Sequence, residues 1–237
     1  MERTGPGLIL FDVDHTLLDV SALHEPAYEA AVLAAHGIPV RLREIVFFGK
    51  TTPNIFRDLC AHAGLDPAVV EESLPGLLEE FNRAVIDALP DDLRATVLPG
   101  VPALLECLEQ RGHPLGVVTG NPPEIGHEVL RRAGLVRRFS VFAFGPEATE
   151  RWQLVQLAIE RASSAAGRAI PAERVVVVGD TPFDAQAGRR AGARTVLVGT
   201  SIYPRSELEA AQPDLLVPSF AHAQSACRAL SELAGAQ

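Results

Sequence analysis

The chain alternates between two hydrophobic rhythms. Short unbroken apolar runs, LILFDV from Leu8, PLGVVT from Pro114, VFAF from Val141, RVVVVG from Arg174, TVLVG from Thr195 and DLLVP from Asp214, are separated by stretches whose apolar residues recur at spacings of three and four. Strands buried on both faces read as continuous apolar runs, and helices between them supply the crossovers of a parallel sheet. The pattern predicts an open α/β sheet of Rossmann-like type, in which ligands gather outside the carboxyl ends of the strands. From Val20 to about Thr96 the strands stop. Three helical tracts follow one another there, SALHEPAYEAAVLAAHG, TPNIFRDLCAHAG and a long one from Pro67, closed by Gly37, Gly64 and Pro90 as stop signals. This divides the chain into an α/β core of residues 1–19 and 97–237 and a helical insert of residues 20–96. The insert leaves near Leu18 and returns through VLPGV, Val97 to Val101, two crossings suited to a cap that rocks over the strand ends.

Composition narrows the possibilities. With 237 residues and 47% hydrophobic content, a substantial buried core is within reach. A formal net charge of −9, with basic residues scattered and nearly all arginine, argues against a nucleic-acid partner. No apolar run approaches a membrane span, so the expectation is a cytoplasmic protein with no membrane contact. Cys60, Cys107 and Cys227 are far apart in helix-like segments without CxxC spacing. They read as small core residues, with neither a disulfide nor a zinc site.

Chemistry concentrates at three strand ends. After the first strand, Asp12 and Asp14 flank Val13, with Thr16 beyond, and two carboxylates so close repel unless a cation lies between them. Asp12 suits a nucleophile and Asp14 a general acid and then a base. In VVTGN, Thr119 offers a hydroxyl, Gly120 an unhindered N–H and Asn121 an amide at a helix start, the makings of an anion site. In VVVVGDTPFDAQAG, Asp180 and Asp184 follow a fully apolar strand, and oxygen donors of this kind suit Mg2+.

The order DxDxT, TGN, GDxxxD resembles the haloacid dehalogenase superfamily over nearly the whole chain, and most closely its phosphoglycolate phosphatase-like branch with a helical cap of the C1 type. The resemblance implies a Mg2+-dependent phosphoric monoester hydrolase acting on a small phosphorylated metabolite. Asp12 would form an aspartyl-phosphate and Asp14 would serve as acid and base. Thr119, with Gly120 and Asn121 beside it, would hold the phosphate. Asp12, Asp180, Asp184 and the carbonyl of Asp14 would hold the metal. The second aspartate favours phosphoester over halide chemistry, because an oxygen leaving group needs an acid.

Two positions depart from the family. His15 stands where glycine is usual and reads as a tolerated turn residue. The family's core lysine is missing, since Lys50 is the only lysine in the chain. Arg151, which opens a helix after the third core strand, is the expected substitute, able to pair with Asp12 and phosphate. Lys50 itself lies in the insert, in VFFGKTT, where a basic group can meet a second anionic group of the substrate. Phe47 and Phe48 read as cap core. His24, His36 and His62 read as helix surface or core, and Trp152, Tyr28 and Tyr203 carry no usable pattern. Two alternatives stay open: a phosphosugar mutase similar to β-phosphoglucomutase, and a non-catalytic phosphate-binding relative.

Overall fold

The computed structural model describes residues 6–235. Its centre is a six-stranded, fully parallel sheet in the order β3-β2-β1-β4-β5-β6. The strands are β1 (Leu8–Phe11), β2 (Leu115–Thr119), β3 (Val141–Phe144), β4 (Val175–Gly179), β5 (Arg194–Val198) and β6 (Leu215–Val217). Each of the six apolar runs in the sequence became one of these strands. Alternate residues serve opposite faces, as the pleat demands. Leu8, Leu10, Val175 and Val177 join one apolar cluster with α6 (Arg151–Ala166). Ile9, Phe11, Val176 and Val178 join the other with α4 (Val101–Gln110), α5 (Pro123–Arg132) and α9 (Ala223–Leu233). The remaining core helices are α7 (Pro182–Arg190) and α8 (Arg205–Ala210). The architecture is the α/β, Rossmann-like one expected.

Between β1 and α4 the described residues form helices α1 (His24–His36), α2 (Thr52–His62) and α3 (Pro67–Ala88), with no named strand. The helices start and stop for local reasons. Gly37 closes α1 with a left-handed φ of 67°, and Asp66 caps α3 by accepting from the Ala68 N–H at 2.8 Å. Helices α1 and α2 both pack on α3, and their buried residues, among them Tyr28, Phe56 and Phe81, are continuous with the α4–α5–α9 face of the core. The chain leaves and re-enters at one point: Leu18 bridges Val97 antiparallel, the Asp19 N–H donates to Thr96 O at 3.1 Å, and the Leu98 N–H donates to Leu17 O at 2.9 Å. None of the described helices is long and apolar enough to cross a membrane.

The cysteines require a correction. Cys107 on α4 and Cys227 on α9 form a disulfide, with Cα atoms 6.2 Å apart across 120 residues of sequence. Cys60 alone is a free, buried thiol. Spacing could not show the pairing, because it depends on α4 and α9 packing side by side on one sheet face. Such bonds persist in oxidising compartments and are rare in reducing ones. Unfolded without reductant, the protein should present one titratable thiol, rising to three after reduction. Reduction should lower the unfolding free energy in a urea titration by about 2–4 kcal/mol, the typical contribution of a disulfide.

Candidate active site

The expected site residues converge where the parallel strands end. Asp12 directly follows β1, and its N–H donates to Val178 O at 2.9 Å, continuing the ladder that joins β1 to β4. Thr119 is the last residue of β2 and Asp180 the first after β4, so three neighbouring strands deliver their polar groups to one edge. Asp12, Thr119, Asn121, Asp180 and Asp184 are all buried despite their polarity. Burial of polar side chains is tolerated only with partners, and nearly all have them.

The Asp184 carboxylate does two things. It closes the N-terminus of α7 in a capping box, accepting from the Thr181 N–H at 3.1 Å and the Thr181 hydroxyl at 2.6 Å. Through its other oxygen it accepts from the Arg151 guanidinium at 2.6 and 3.0 Å. Gly179 is what lets this carboxylate sit against β4, since a Cβ there would run into the Asp184 side chain. Arg151 also reaches Asp12 Oδ1 at 2.8 Å and donates to Gly49 O of the insert at 3.3 Å. One largely buried cation therefore bridges Asp12, Asp184 in the first turn of α7 and the loop before α2.

The second aspartate is held differently. Asp14 Oδ2 accepts from the Asn121 amide at 2.7 Å, while Asp14 Oδ1 is buried without a partner among the described residues. The Asn121 N–H donates to the Thr119 hydroxyl at 3.2 Å, so Asn121 orients the Asp14 carboxylate as well as bordering the Thr119 loop. Gly120 has its own reason: its carbonyl accepts from the Thr52 N–H at 2.9 Å, and a side chain there would collide with the Lys50 carbonyl of the insert.

The electrostatics ask for more positive charge than Arg151 supplies. Burial pushes the Asp12 carboxyl up to about 7, with the Asp184 and Asp14 charges adding to the rise and Arg151 opposing it. Burial, then the Asp12 and Asp184 charges, hold Asp180 well above the usual carboxylate range. The Arg151 guanidinium loses by burial but gains more from Asp184 and Asp12, so it stays charged. Asp12, Asp180 and Asp184 each offer an oxygen within 4.8 Å of the others, and Asp180 Oδ2 is buried without a partner among the described residues. Three hard oxygen donors with surplus negative charge fit a Mg2+-sized cation. The Asp14 carboxylate is not part of that cluster.

Asp12, Asp14, Thr119, Asn121, Arg151 and Asp180 line a cavity of about 80 Å3. A larger cavity of about 380 Å3 lies behind Arg151 but contains neither Asp12 nor Thr119. Lys50 borders both, yet its ammonium is paired with Asp58 at 2.6 Å on α2, which leaves it less free to meet a substrate anion than its sequence context implies. Four residues that were not expected at the site also line this cavity: His24, whose buried Nε2 has no partner among the described residues, Tyr28, whose hydroxyl donates to Thr52 at 3.0 Å, and the stacked pair Phe47 and Phe48. Tyr28 was within reach of sequence reasoning, because a polar-tipped aromatic on the buried face of α1 needs a partner.

Comparison with known proteins shows what the chain is similar to. The family model for haloacid dehalogenase-like hydrolase matches residues 6–192. An N-acetylmuramic acid 6-phosphate phosphatase of Pseudomonas aeruginosa is 31% identical over 206 residues, covering 84% of this chain and 84% of the relative. A phosphoglycolate phosphatase of Xanthomonas campestris pv. campestris is 31% identical over 195 residues, covering 81% of this chain and 82% of the relative. Among solved structures, a β-phosphoglucomutase from Clostridium difficile superposes with a TM-score of 0.79 at 16% identity, covering 97% of each chain, a likeness of fold.

The carboxyl cluster predicts how stability should respond to pH and to a divalent cation. Asp12 has a folded-state pKa above its unfolded value, so its contribution is fully present below about 3.8 and is lost as pH rises through about 7. A cation that binds only the folded state offsets that loss. Thermal unfolding in EDTA and in Mg2+ should therefore differ more at pH 8 than at pH 5, with Mg2+ raising Tm.

Proposed function

Because the chain belongs to the haloacid dehalogenase-like hydrolase family, we propose that it is a Mg2+-dependent phosphatase of small phosphorylated metabolites that works through an aspartyl-phosphate on Asp12. The observation that carries this reading is Arg151, whose guanidinium joins Asp12 to Asp184 and so fills the electrostatic role of the absent core lysine. The names of the relatives support a phosphate ester as substrate.

In this mechanism Asp12 attacks phosphorus in line with the departing alcohol oxygen. The free oxygen of Asp14, on a carboxyl fixed by Asn121, carries the proton that the alcohol needs to leave. Asp14 then takes a proton from water as that water attacks phosphorus, and phosphate departs with Asp12 restored. Thr119, the Gly120 N–H and Arg151 hold the phosphoryl oxygens on which charge gathers. A cation held by Asp12, Asp180, Asp184 and the Asp14 carbonyl would neutralise phosphate charge and keep Asp12 ionised. The helical insert, residues 20–96, serves as the cap, and its loop at residues 47–52 covers the phosphate seat. A cytoplasmic location belongs to the same proposal, and a reducing thiol pool there would compete with the Cys107–Cys227 bond.

The reading is tested by phosphate release from p-nitrophenyl phosphate and 2-phosphoglycolate with Mg2+ or EDTA. Turnover should require Mg2+ and disappear in Asp12→Asn. Arg151→Ala should lose about 10²–10³-fold in kcat, as for removal of a buried group that stabilises transition-state charge, while Arg151→Lys retains more. Full activity in Asp12→Asn, or in EDTA, would sink the mechanism. Isomerisation of a sugar phosphate without net phosphate release would mark a mutase instead.

A further inference from the structure

The backbone of His15 is in the left-handed region, with φ 56°, a conformation that favours glycine; among the described non-glycine residues only Gln212 shares a positive φ. It is held there from both sides. The His15 N–H donates to Leu18 O at 2.8 Å, and its carbonyl accepts from the Thr200 hydroxyl. Such a conformation persists where its surroundings over-determine it, and it commonly marks a site where side-chain direction matters. Here the imidazole borders the catalytic cavity, with Nδ1 3.6 Å from Asp19 Oδ2 and the ring 6.0 Å from Phe48.

Phe48 comes from the insert. It also meets Tyr203, in the loop after β5, at 6.4 Å and 80°, and it stacks on Phe47 at 4.2 Å. One insert ring thus sits against two separate core loops. The backbone beside it is anchored as well, through Gly49 O to Arg151 and the Thr52 N–H to Gly120 O. A Cβ at Gly49 would lie 2.7 Å from both Phe183 and Thr181, so this loop is seated directly on the start of α7. The space left inside is about 80 Å3, well under the roughly 300–1,000 Å3 of sites that take drug-sized ligands.

We propose that Phe48, packed against both His15 and Tyr203, limits the size of the leaving group and makes this chain selective for phosphate monoesters of two- or three-carbon alcohols over phosphorylated sugars. The proposal rests on the phosphatase reading for the identity of the ligand, and the test separates the two. The names of two relatives at equal identity point to a small and a large substrate, so they supply the probes.

Calorimetric titration of Asp12→Asn protein with Mg2+ should give at least 30-fold tighter binding of 2-phosphoglycolate than of N-acetylmuramic acid 6-phosphate. Adding Phe48→Ala or Tyr203→Ala should shrink that ratio at least tenfold, and hydrogen exchange at residues 47–50 should quicken at least tenfold. His15→Gly separates positioning from mere stability: Tm should hold or rise, since glycine accepts the backbone, while the ratio falls at least threefold. An unchanged ratio in all three variants, a parent that prefers the sugar phosphate, or no binding of either ligand overturns the proposal. Selective binding by Asp12→Asn without any turnover by the native chain would leave this selection standing and remove the phosphatase reading. Turnover of both esters with equal kcat/KM would do the reverse.

Discussion

Three buried carboxylates gather around one largely buried guanidinium, and the rest of the molecule is arranged around that imbalance. Asp12 and Asp184 both reach Arg151, and Asp180 stands close by with an oxygen that no described group satisfies. Removing one partner of a buried ion pair typically costs several kcal/mol, because it strands the other charge away from water. The elements that meet here are therefore tied to each other electrostatically: the ends of β1 and β4, the first turn of α6, and the first turn of α7, whose capping box uses the same Asp184. The surplus of negative charge is also what makes the place receptive to a cation and a phosphoryl group together.

An arginine in this role differs from a lysine in more than shape. It cannot give up its proton under ordinary conditions, and its several N–H groups engage separate partners at fixed angles. Arg151 uses that capacity fully, with Asp184, Asp12 and the Gly49 carbonyl as simultaneous acceptors. The Gly49 contact makes the same side chain a tether between the core and the helical insert. A lysine carries its three N–H groups on a single nitrogen, so the same acceptors would have to gather around one point.

Much of this was legible in the sequence because parallel strands buried on both faces leave continuous apolar runs, and every one of the six appeared as a strand. The acids at the strand ends were legible for a related reason, since carboxylates that terminate apolar runs have few structural explanations. What escaped depended on meetings between distant segments. Cys107 and Cys227 sit on two helices that only the finished sheet brings together. The Lys50–Asp58 pair joins a loop to the helix after it, and no spacing rule pairs them. His24 reads as a helix surface or core histidine, and only the packed cap brings it to the cavity; His15 reads as a tolerated turn residue, because backbone handedness leaves no trace in residue type alone.

The disulfide gives the chain an unusual connectivity. Bridging positions 107 and 227, it encloses β2 through β6 together with Thr119, Arg151, Asp180 and Asp184, while Asp12, Asp14 and all of α1–α3 lie outside the ring. The oxidised, unfolded chain is thus a closed loop with a long amino-terminal tail, and the tail carries the strand that belongs between β2 and β4. Refolding of that oxidised chain must admit β1 into the middle of a sheet whose other strands are already covalently gathered. The nucleophile's strand is in that sense a keystone, supplied from outside the ring that it completes.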